Sequence, residues 1–290
     1  MTNRRKGQLG LILVAIIWGS GFVMSSVALN YFSTIHILAL RFSIAFISML
    51  VIFHRQLKHI NKSTMIRGGI LGVILYLAFY FQTIGLVHTT ASKNAFLTAF
   101  NVVLVPIFGA LFLKKKLTPL NIIGSLSAII GVGVMSLNEF GAINIGDVLT
   151  LICALFFALQ IIYTSLYVSD ENPYALNTVQ MGVATLCGMI ISLIQDQPIE
   201  IGHANGIIAV VYLGVVSTML AFLLQTTAQR YTTETETVII MSMEAVFGMV
   251  FSAMLLNEEI SIRMLIGAAL ILAGVLIVQL KPRRKQQESV

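Results

Sequence analysis

The stretch VILYLAFYFQT at residues 73–83 returns 143 positions later as VSTMLAFLLQT at residues 216–226. Apolar matches arise easily by chance, but the shared Ala-Phe pair and the Gln-Thr ending align at one offset without a gap. Further polar and glycine matches continue downstream at that offset: Thr89/Thr232, Thr90/Thr233, Gly124/Gly267 and Gly131/Gly274. The sequence therefore predicts two copies of one structural unit.

The composition places this repeat in a lipid environment. Hydrophobic residues make up 57% of the 290 residues and charged residues 10%, and the mean hydropathy is +0.92. A soluble domain carries about 25% charged residues, so this chain lacks the polar material to coat a water-facing surface. The net charge of +6 is then explained by lipid headgroups and topology, and no nucleic-acid partner is expected.

The sequence predicts ten transmembrane helices, each an apolar run with charged or turn residues at its two ends. Helices are required because only they satisfy their own backbone hydrogen bonds within one segment in hydrocarbon. The predicted spans are 9–28, 35–53, 66–86, 93–113, 119–137, 146–166, 174–194, 206–228, 236–256 and 262–280. With the N-terminus in the cytoplasm, 15 of the 18 Lys and Arg residues fall on the cytoplasmic side. This bias predicts that both chain termini are cytoplasmic.

Each repeat holds an odd number of these spans, five, so the second copy enters the membrane from the opposite side. The expected domains are a first repeat at residues 7–138, a second at 144–281, and a basic cytoplasmic tail at 282–290. Inverted repeats are a common plan for secondary transporters, with the substrate site near the midplane between the halves. The predicted fold class is therefore an all-α integral membrane protein built as two inverted five-helix repeats.

Two ionisable residues lie inside predicted spans, Arg41 in the second and Glu244 near the middle of the ninth. A charge at the bilayer centre costs about 2.5–3.5 kcal/mol on insertion scales, so such residues face a partner or a wet cavity. Glu244 is a candidate for contacting a substrate amine or carrying a proton, with a structural ion pair as the alternative. Arg41 lies nearer one membrane face and could instead snorkel there.

Polar residues of the two repeats are expected to meet. Glu244 aligns with Asn101 at the repeat offset, and Thr98 lies one turn before Asn101 on the same helix face. Two such stripes would line a central cavity, or would supply hydrogen bonds between helices in a packed bundle. Gln160 is a further candidate for the cavity lining. Trp18 would supply an aromatic wall, and plain packing is an equal alternative for it.

Other features bear on gating, packing and chemistry. Pro106 in the fourth span removes a backbone donor and is expected to kink the helix, which could serve gating. Small residues in the fifth and tenth spans, including Gly131 and Gly274, allow close packing within the chain or between copies. The sequence contains neither a His-Glu-x-x-His zinc motif nor a Gly-Lys-Ser/Thr phosphate loop. Neither an enzyme activity nor a metal or cofactor is therefore expected.

Several segments together carry a family resemblance. They are IWGSGF at residues 17–22, LALRF at 38–42, NAFLT at 94–98 with VPI at 105–107, MEAVF at 243–247 and LLNE at 255–258. In these segments the chain resembles the drug/metabolite transporter superfamily, EamA type, with two EamA domains. It departs from the family pattern where Ala245 replaces a proline and where Lys115 stands in the first-half position of an acidic residue.

The resemblance implies a ten-helix inverted-repeat fold and export of amino acids, their derivatives, or other small metabolites and drugs. The expected protein is an efflux transporter of the cell membrane that moves a small-molecule substrate by alternating access among membrane lipids. Without a nucleotide-binding loop, proton or solute counter-transport would supply the energy. A non-transporting membrane scaffold or regulator and a lipid flippase remain alternatives, and the sequence leaves the oligomeric state open.

Overall fold

The computed structural model describes residues 2–113, 119–136, 144–195 and 203–279. Regular structure in these ranges is helical throughout, and they contain no strand. The helices are α1 (Asn3–Leu29), α2 (Thr34–Ile52), a 3-10 helix (His54–His59), α3 (Lys62–Leu86), α4 (Ala91–Thr98 and Asn101–Leu113), α5 (Pro119–Ser136), α6 (Ile145–Tyr167), α7 (Pro173–Gln195), α8 (Ala204–Tyr212, π-helical Leu213–Leu220 and Ala221–Gln229), α9 (Glu234–Met241 and Met243–Leu255) and α10 (Ile262–Gln279).

The described helices are suited to a bilayer. Eight of them, α1 to α4 and α6 to α9, are long and apolar enough to cross a membrane, while α5 and α10 hold shorter apolar stretches. Large apolar side chains cover the outside of the bundle, with Leu193 78% and Met254 72% exposed. A surface of this kind is stable against lipid, so the chain is an all-helical integral membrane protein. The predicted tail at 282–290 and the repeat ends at 138 and 281 lie outside the described residues.

Equivalent capping residues start α4 and α9. The Thr90 side chain accepts a hydrogen bond from the backbone N–H of Lys93, and the Thr233 side chain accepts one from the backbone N–H of Glu236. Thr233 and Glu236 lie 143 residues after Thr90 and Lys93, which is the offset of the repeat. Such caps are worth about 1 kcal/mol each. The local sequence therefore begins both helices at the same point of the repeat.

Both α4 and α9 are broken near their middle. The break in α4 lies at residues 99–100 and the break in α9 at Ser242, which is the equivalent position. Pro106 lies farther along α4, inside a segment that continues through it. The interruption of α4 is therefore not at its proline, and α9 is interrupted although Ala245 replaces the proline of the family pattern.

Each helix of the first half packs against the same set of main neighbours as the helix numbered five higher in the second half, once every neighbour is renumbered in the same way. Helix α1 packs on α8 and α9, and α6 packs on α3 and α4. Helix α2 packs on α8, and correspondingly α7 packs on α3. Helix α2 also packs on α7, and α5 packs on α10, so in these two pairs each helix packs on its own equivalent. A twofold relation between two repeated units would produce this pattern, as it does in transporters with internal repeats.

Small residues join α5 to α10 within the chain. A Cβ atom placed on Gly131 would lie 2.7 Å from the carbonyl oxygen of Gly267, and Gly274 approaches the carbonyl of Gly124 in the same way. The backbones thus approach too closely for a larger side chain at either glycine. Of the two packing arrangements left open by the sequence, these glycines serve the contact inside the chain.

The second helix of each repeat follows a different offset. A Cβ atom placed on Gly72 in α3 would lie 2.7 Å from the carbonyl oxygen of Gln180, and one placed on Gly214 in α8 would lie 3.0 Å from the carbonyl oxygen of Arg41. Gly72 and Gly214 are 142 residues apart, one residue short of the repeat offset, and the residues that they contact, Gln180 and Arg41, hold corresponding places in α7 and α2 at an offset of 139. The register between the repeats thus changes by about one helical turn before the third helix.

Candidate functional site

One cavity lies at the centre of the bundle, between helices of both repeats. The predicted cavity residues all line it: Trp18, Arg41, Thr98, Asn101, Gln160 and Glu244. Its volume is about 20 Å³, which is room for about one water molecule. Sites for small organic ligands occupy about 300–1,000 Å³. The cavity in this structure is therefore much smaller than such a site.

Arg41 is buried, with 1% of its surface exposed, and does not snorkel to the membrane face. Its Nε and Nη2 donate hydrogen bonds to Thr218 Oγ1 at 3.1 and 2.9 Å. The guanidinium carbon lies 3.9 Å from the ring centroid of Phe79, a cation–π contact. Among the described residues no carboxylate lies within ion-pair distance of this guanidinium. A fixed positive charge without a counter-ion thus faces the cavity.

Glu244 and Asn101 hold equivalent places just after the breaks in α9 and α4. They are 3% and 5% exposed and both line the cavity. Within the described part of the chain, neither side chain has a hydrogen-bond or ion-pair partner, and the structural ion pair considered for Glu244 is not formed there. Both side chains are free to bind a group that enters the cavity.

Thr98 and Gln160 differ from these residues because they already have partners. Thr98 Oγ1 accepts a hydrogen bond from Gln82 Nε2 at 3.3 Å. Gln160 accepts one from Gln225 Nε2 and donates one to Thr164 Oγ1, both at 3.1 Å. The amide of Gln160 therefore belongs to a network between α6 and α8, and it borders the cavity as part of that network.

Trp18 combines the two roles that the sequence left open. Its ring lines the cavity and lies 5.0 Å, between centroids, from the ring of Phe222. Its indole N–H donates to the backbone carbonyl of Ser217 at 2.9 Å. Ser217, like Thr218, belongs to the π-helical segment of α8, and π-helical turns are frequent at functional sites. This segment thus positions both Trp18 and Arg41.

The first helix of each repeat supplies matching parts of the wall. Trp18 and Phe22 of α1 line the cavity opposite Phe157 and Ile161 of α6, and both pairs share one offset. Trp18 and Phe157, like Phe22 and Ile161, are 139 residues apart, and so are Arg41 and Gln180 in α2 and α7. The wall is therefore pseudo-symmetric in shape and aromatic on both sides.

Some lining residues were not predicted from the sequence. They include Ser25, Phe79, Gln82 and Ser217. Phe79 and Gln82 carried a signal, because they recur as Phe222 and Gln225 in the repeat, but a phenylalanine or a lone glutamine in a span is more often a packing residue. Pro106, predicted to kink α4 for gating, does not line the cavity.

The arrangement offers recognition of charged groups. One guanidinium from the first repeat and one carboxylate from the second face the same space, with an amide and hydroxyl groups between aromatic walls. The described residues hold no cluster of three His, Cys, Asp or Glu side chains that could bind a metal ion. A molecule carrying both a negative and a positive group would satisfy both charges.

Comparisons with known proteins agree with this architecture. The sequence pattern of the EamA-like transporter family matches residues 5–137 and again residues 144–280. An uncharacterized transporter of Archaeoglobus fulgidus is 33% identical over 280 residues, covering 96% of this chain and 87% of the relative. A probable amino-acid metabolite efflux pump of Escherichia coli is 26% identical, covering 95% of each chain. A crystal structure of 16% identity matches the fold with a TM-score of 0.71 over 94% of this chain and 96% of the other. The chain belongs to the EamA-like transporter family and is a multi-pass transporter of the cell membrane.

Proposed function

We propose that this protein exports amino acids or closely related small zwitterionic metabolites by alternating access. The observation that carries the proposal is the pair of opposite, buried and unpartnered charges, Arg41 and Glu244, on one cavity. Arg41 would bind the carboxylate of the solute and Glu244 its ammonium group. Asn101 and Thr98 would bind its remaining polar groups, and Trp18 would cover it.

The energetics favour a bound zwitterion. Each unpaired charge near the bilayer centre costs about 2.5–3.5 kcal/mol on insertion scales. A hydrogen bond to a charged group returns about 1.5–3 kcal/mol. A solute with one carboxylate and one ammonium offsets both costs at once, whereas a solute with one charge leaves the other protein charge unpaired. Selectivity for zwitterions follows from this difference.

The proposed topology is ten membrane spans in two inverted repeats, residues 7–138 and 144–281, with both termini and the tail 282–290 in the cytoplasm. The exchangeable packing of helices and the matched breaks in α4 and α9 support this topology. Broken helices beside a midplane site are a recurring feature of secondary transporters. Because the two halves are alike, an inward-open form and an outward-open form would differ little in free energy.

Because the cavity holds about one water molecule, the bundle would have to widen before a solute enters. Proton or solute counter-transport is the proposed source of energy. The direction of transport is proposed from the relative in Escherichia coli, whose name describes efflux of an amino-acid metabolite.

Counterflow in proteoliposomes tests the proposal. Vesicles loaded with unlabelled amino acids should accumulate radiolabelled amino acid from outside, and the uptake should saturate. Competition should follow charge, with zwitterions stronger than the matched amine without a carboxylate or the matched acid without an amine. Equal competition by all three would contradict the charge model, and a lack of saturable flux for every solute would favour a scaffold.

A further inference from the structure

Two polar contacts occupy equivalent places at the N-termini of α9 and α4. In the first, which we call the inner gate, Glu236 Oε1 accepts hydrogen bonds from Arg4 Nε at 3.2 Å and Gln8 Nε2 at 2.5 Å. In the second, the outer gate, Lys93 Nζ lies 3.9 Å from Asp147 Oδ2. Glu236 and Lys93 are related by the repeat offset and are therefore equivalent. Glu236 at the inner gate is an anion and Lys93 at the outer gate is a cation, so the charge at this equivalent place is exchanged between the gates.

The partner residues on α1 and α6 are also equivalent. Gly7 of α1 packs on the carbonyl of Ala228, and Gly146 of α6 packs on the carbonyl of Gly85, which is the equivalent of Ala228. Gln8 and Asp147 follow these glycines directly. Each gate therefore joins the first turns of one helix pair, α1 with α9 or α6 with α4.

The gates lie at opposite ends of the bundle. Leu29, at the end of α1, packs in one cluster with Ala91 at the start of α4 and Leu256 at the end of α9. The start of α4, and with it Lys93, is therefore far from Arg4 along α1. The stretch of α1 from Arg4 to Leu29 corresponds to about 37 Å of helix. The central cavity lies between the two gates.

Helix dipoles make each contact sensitive to separation. Glu236 and Asp147 lie in the first turns of α9 and α6, where the partial positive charge of the helix stabilises a carboxylate. Lys93 and Arg4 also lie at helix starts, where a cation is unfavourable without an anionic partner. When the two helix starts separate, the cation loses that partner. Each ion pair, Arg4 with Glu236 or Lys93 with Asp147, therefore favours contact between the two helix starts at its own end of the cavity.

The broken helices connect each gate to the cavity. Lys93 and Asn101 lie on either side of the break in α4, and Glu236 and Glu244 lie on either side of the break in α9. A tilt of the eight-residue segment before the break would open one mouth and shift the backbone that carries the cavity residue. Both gates are closed in this structure, which agrees with the small volume of the cavity.

We propose that these contacts are the two alternating gates of the transporter, so that breaking one opens only its own mouth. This inference rests on the alternating-access part of the proposed function. At the outer gate Asp147 is fully buried and also accepts a hydrogen bond from Thr89 Oγ1 at 2.7 Å, so the loss of Lys93 would leave a buried carboxylate without its cation. At the inner gate the Arg4 side chain is 64% exposed, so solvent weakens its contribution.

Thiol accessibility tests the gates. In a background carrying Cys153→Ala and Cys187→Ala, Ser25→Cys places one thiol on the cavity. Labelling by a membrane-impermeant thiol reagent is then measured separately from each side. Lys93→Gln should raise the rate from the outer side more than tenfold, because it leaves the buried Asp147 unpaired, and should lower the rate from the inner side.

Glu236→Gln should give the opposite pattern with a smaller change, about 1.5- to 5-fold, as expected for a largely exposed ion pair. The double exchange Lys93→Asp with Asp147→Lys should restore the labelling rates of the parent. Arg67→Gln is the matched control, because it breaks an ion pair with Glu171 at 3.1 Å that joins α3 to the turn after α6. It should leave the balance between the two sides unchanged.

Equal changes from both sides, or no change, would overturn the gate assignment. Where a single variant does not fold, Lys93→Cys with Asp147→Cys keeps the test available, since a cleavable bifunctional thiol reagent that joins the two positions should block labelling from the outer side until it is cleaved. Counterflow by the parent protein in the same vesicles separates the two proposals. Reciprocal labelling without flux would reject the proposed solutes and retain the gates, and flux without reciprocal labelling would reject the gates.

Discussion

Replacing Glu244 by glutamine should weaken transport without weakening the fold. The substitution keeps the shape of the side chain and removes its charge. If the carboxylate binds the ammonium of a zwitterion, the loss is one charge-assisted interaction of about 1.5–3 kcal/mol, or roughly a 10- to 150-fold rise in the apparent dissociation constant. The stability should stay the same or rise, because an unpartnered buried charge is removed from the bundle.

The matched control is Glu171→Gln, which makes the same chemical change at a buried carboxylate that is fully bonded. Glu171 accepts hydrogen bonds from Ser63 Oγ and Thr64 Oγ1, both at 2.6 Å, and from Arg67 at 3.1 Å. This variant should lose about 1.5–3 kcal/mol of stability and keep its affinity for solute. The two variants should thus differ in the sign of their effect on stability.

Two measurements on each purified variant decide the question. Counterflow in proteoliposomes across a range of solute concentrations gives the apparent affinity, and thermal unfolding in detergent gives the stability. A Glu244→Gln protein with unchanged affinity would remove the carboxylate from solute binding. A Glu244→Gln protein that unfolds at a clearly lower temperature would show that the carboxylate is structural, and the reasoning from unpaired charge would be refuted.

Three further substitutions test separate parts of the structure. Arg41→Lys removes the planar fork that binds a carboxylate through two bonds, so counterflow should show roughly tenfold weaker binding while the protein still folds. Gly131→Val places a branched side chain against the carbonyl of Gly267, and thermal unfolding should show a loss of about 1–3 kcal/mol. Trp18→Phe keeps an aromatic wall but loses the hydrogen bond to the Ser217 carbonyl, so stability should fall by about 1 kcal/mol while competition among solutes keeps its order.

Much of the helical fold could be predicted from the sequence for physical reasons. Apolar runs long enough to span a bilayer are a strong signal, and eight of the described helices are long and apolar enough to cross a membrane. A buried charge such as Arg41 or Glu244 is costly in lipid, which is why position within a span sufficed to select it. The repeat offset then selected Asn101, which is the equivalent of Glu244 in the first repeat.

Other features depend on contacts between distant segments and left no signal in the sequence. Pro106 was expected to kink α4, and the sequence carried no signal for the break that precedes it at residues 99–100, at the place equivalent to Ser242 in α9. The π-helical turn that positions Trp18 and Arg41 has no distinct composition. Gln160 was selected as a cavity residue by its depth alone, and depth does not distinguish a free amide from one already bonded to Gln225.

The two repeats are alike in backbone and unlike in charge, and this difference has a consequence for binding. Arg41 of the first repeat corresponds to Gln180 in the second, and Glu244 of the second corresponds to Asn101 in the first. Each charged residue thus has an uncharged amide at its equivalent place. A fully symmetric cavity that kept these charges would hold two cations and two anions. Under the proposed function, the single guanidinium and the single carboxylate would hold a zwitterion in one orientation, while the likeness of the two backbones would suit alternating access.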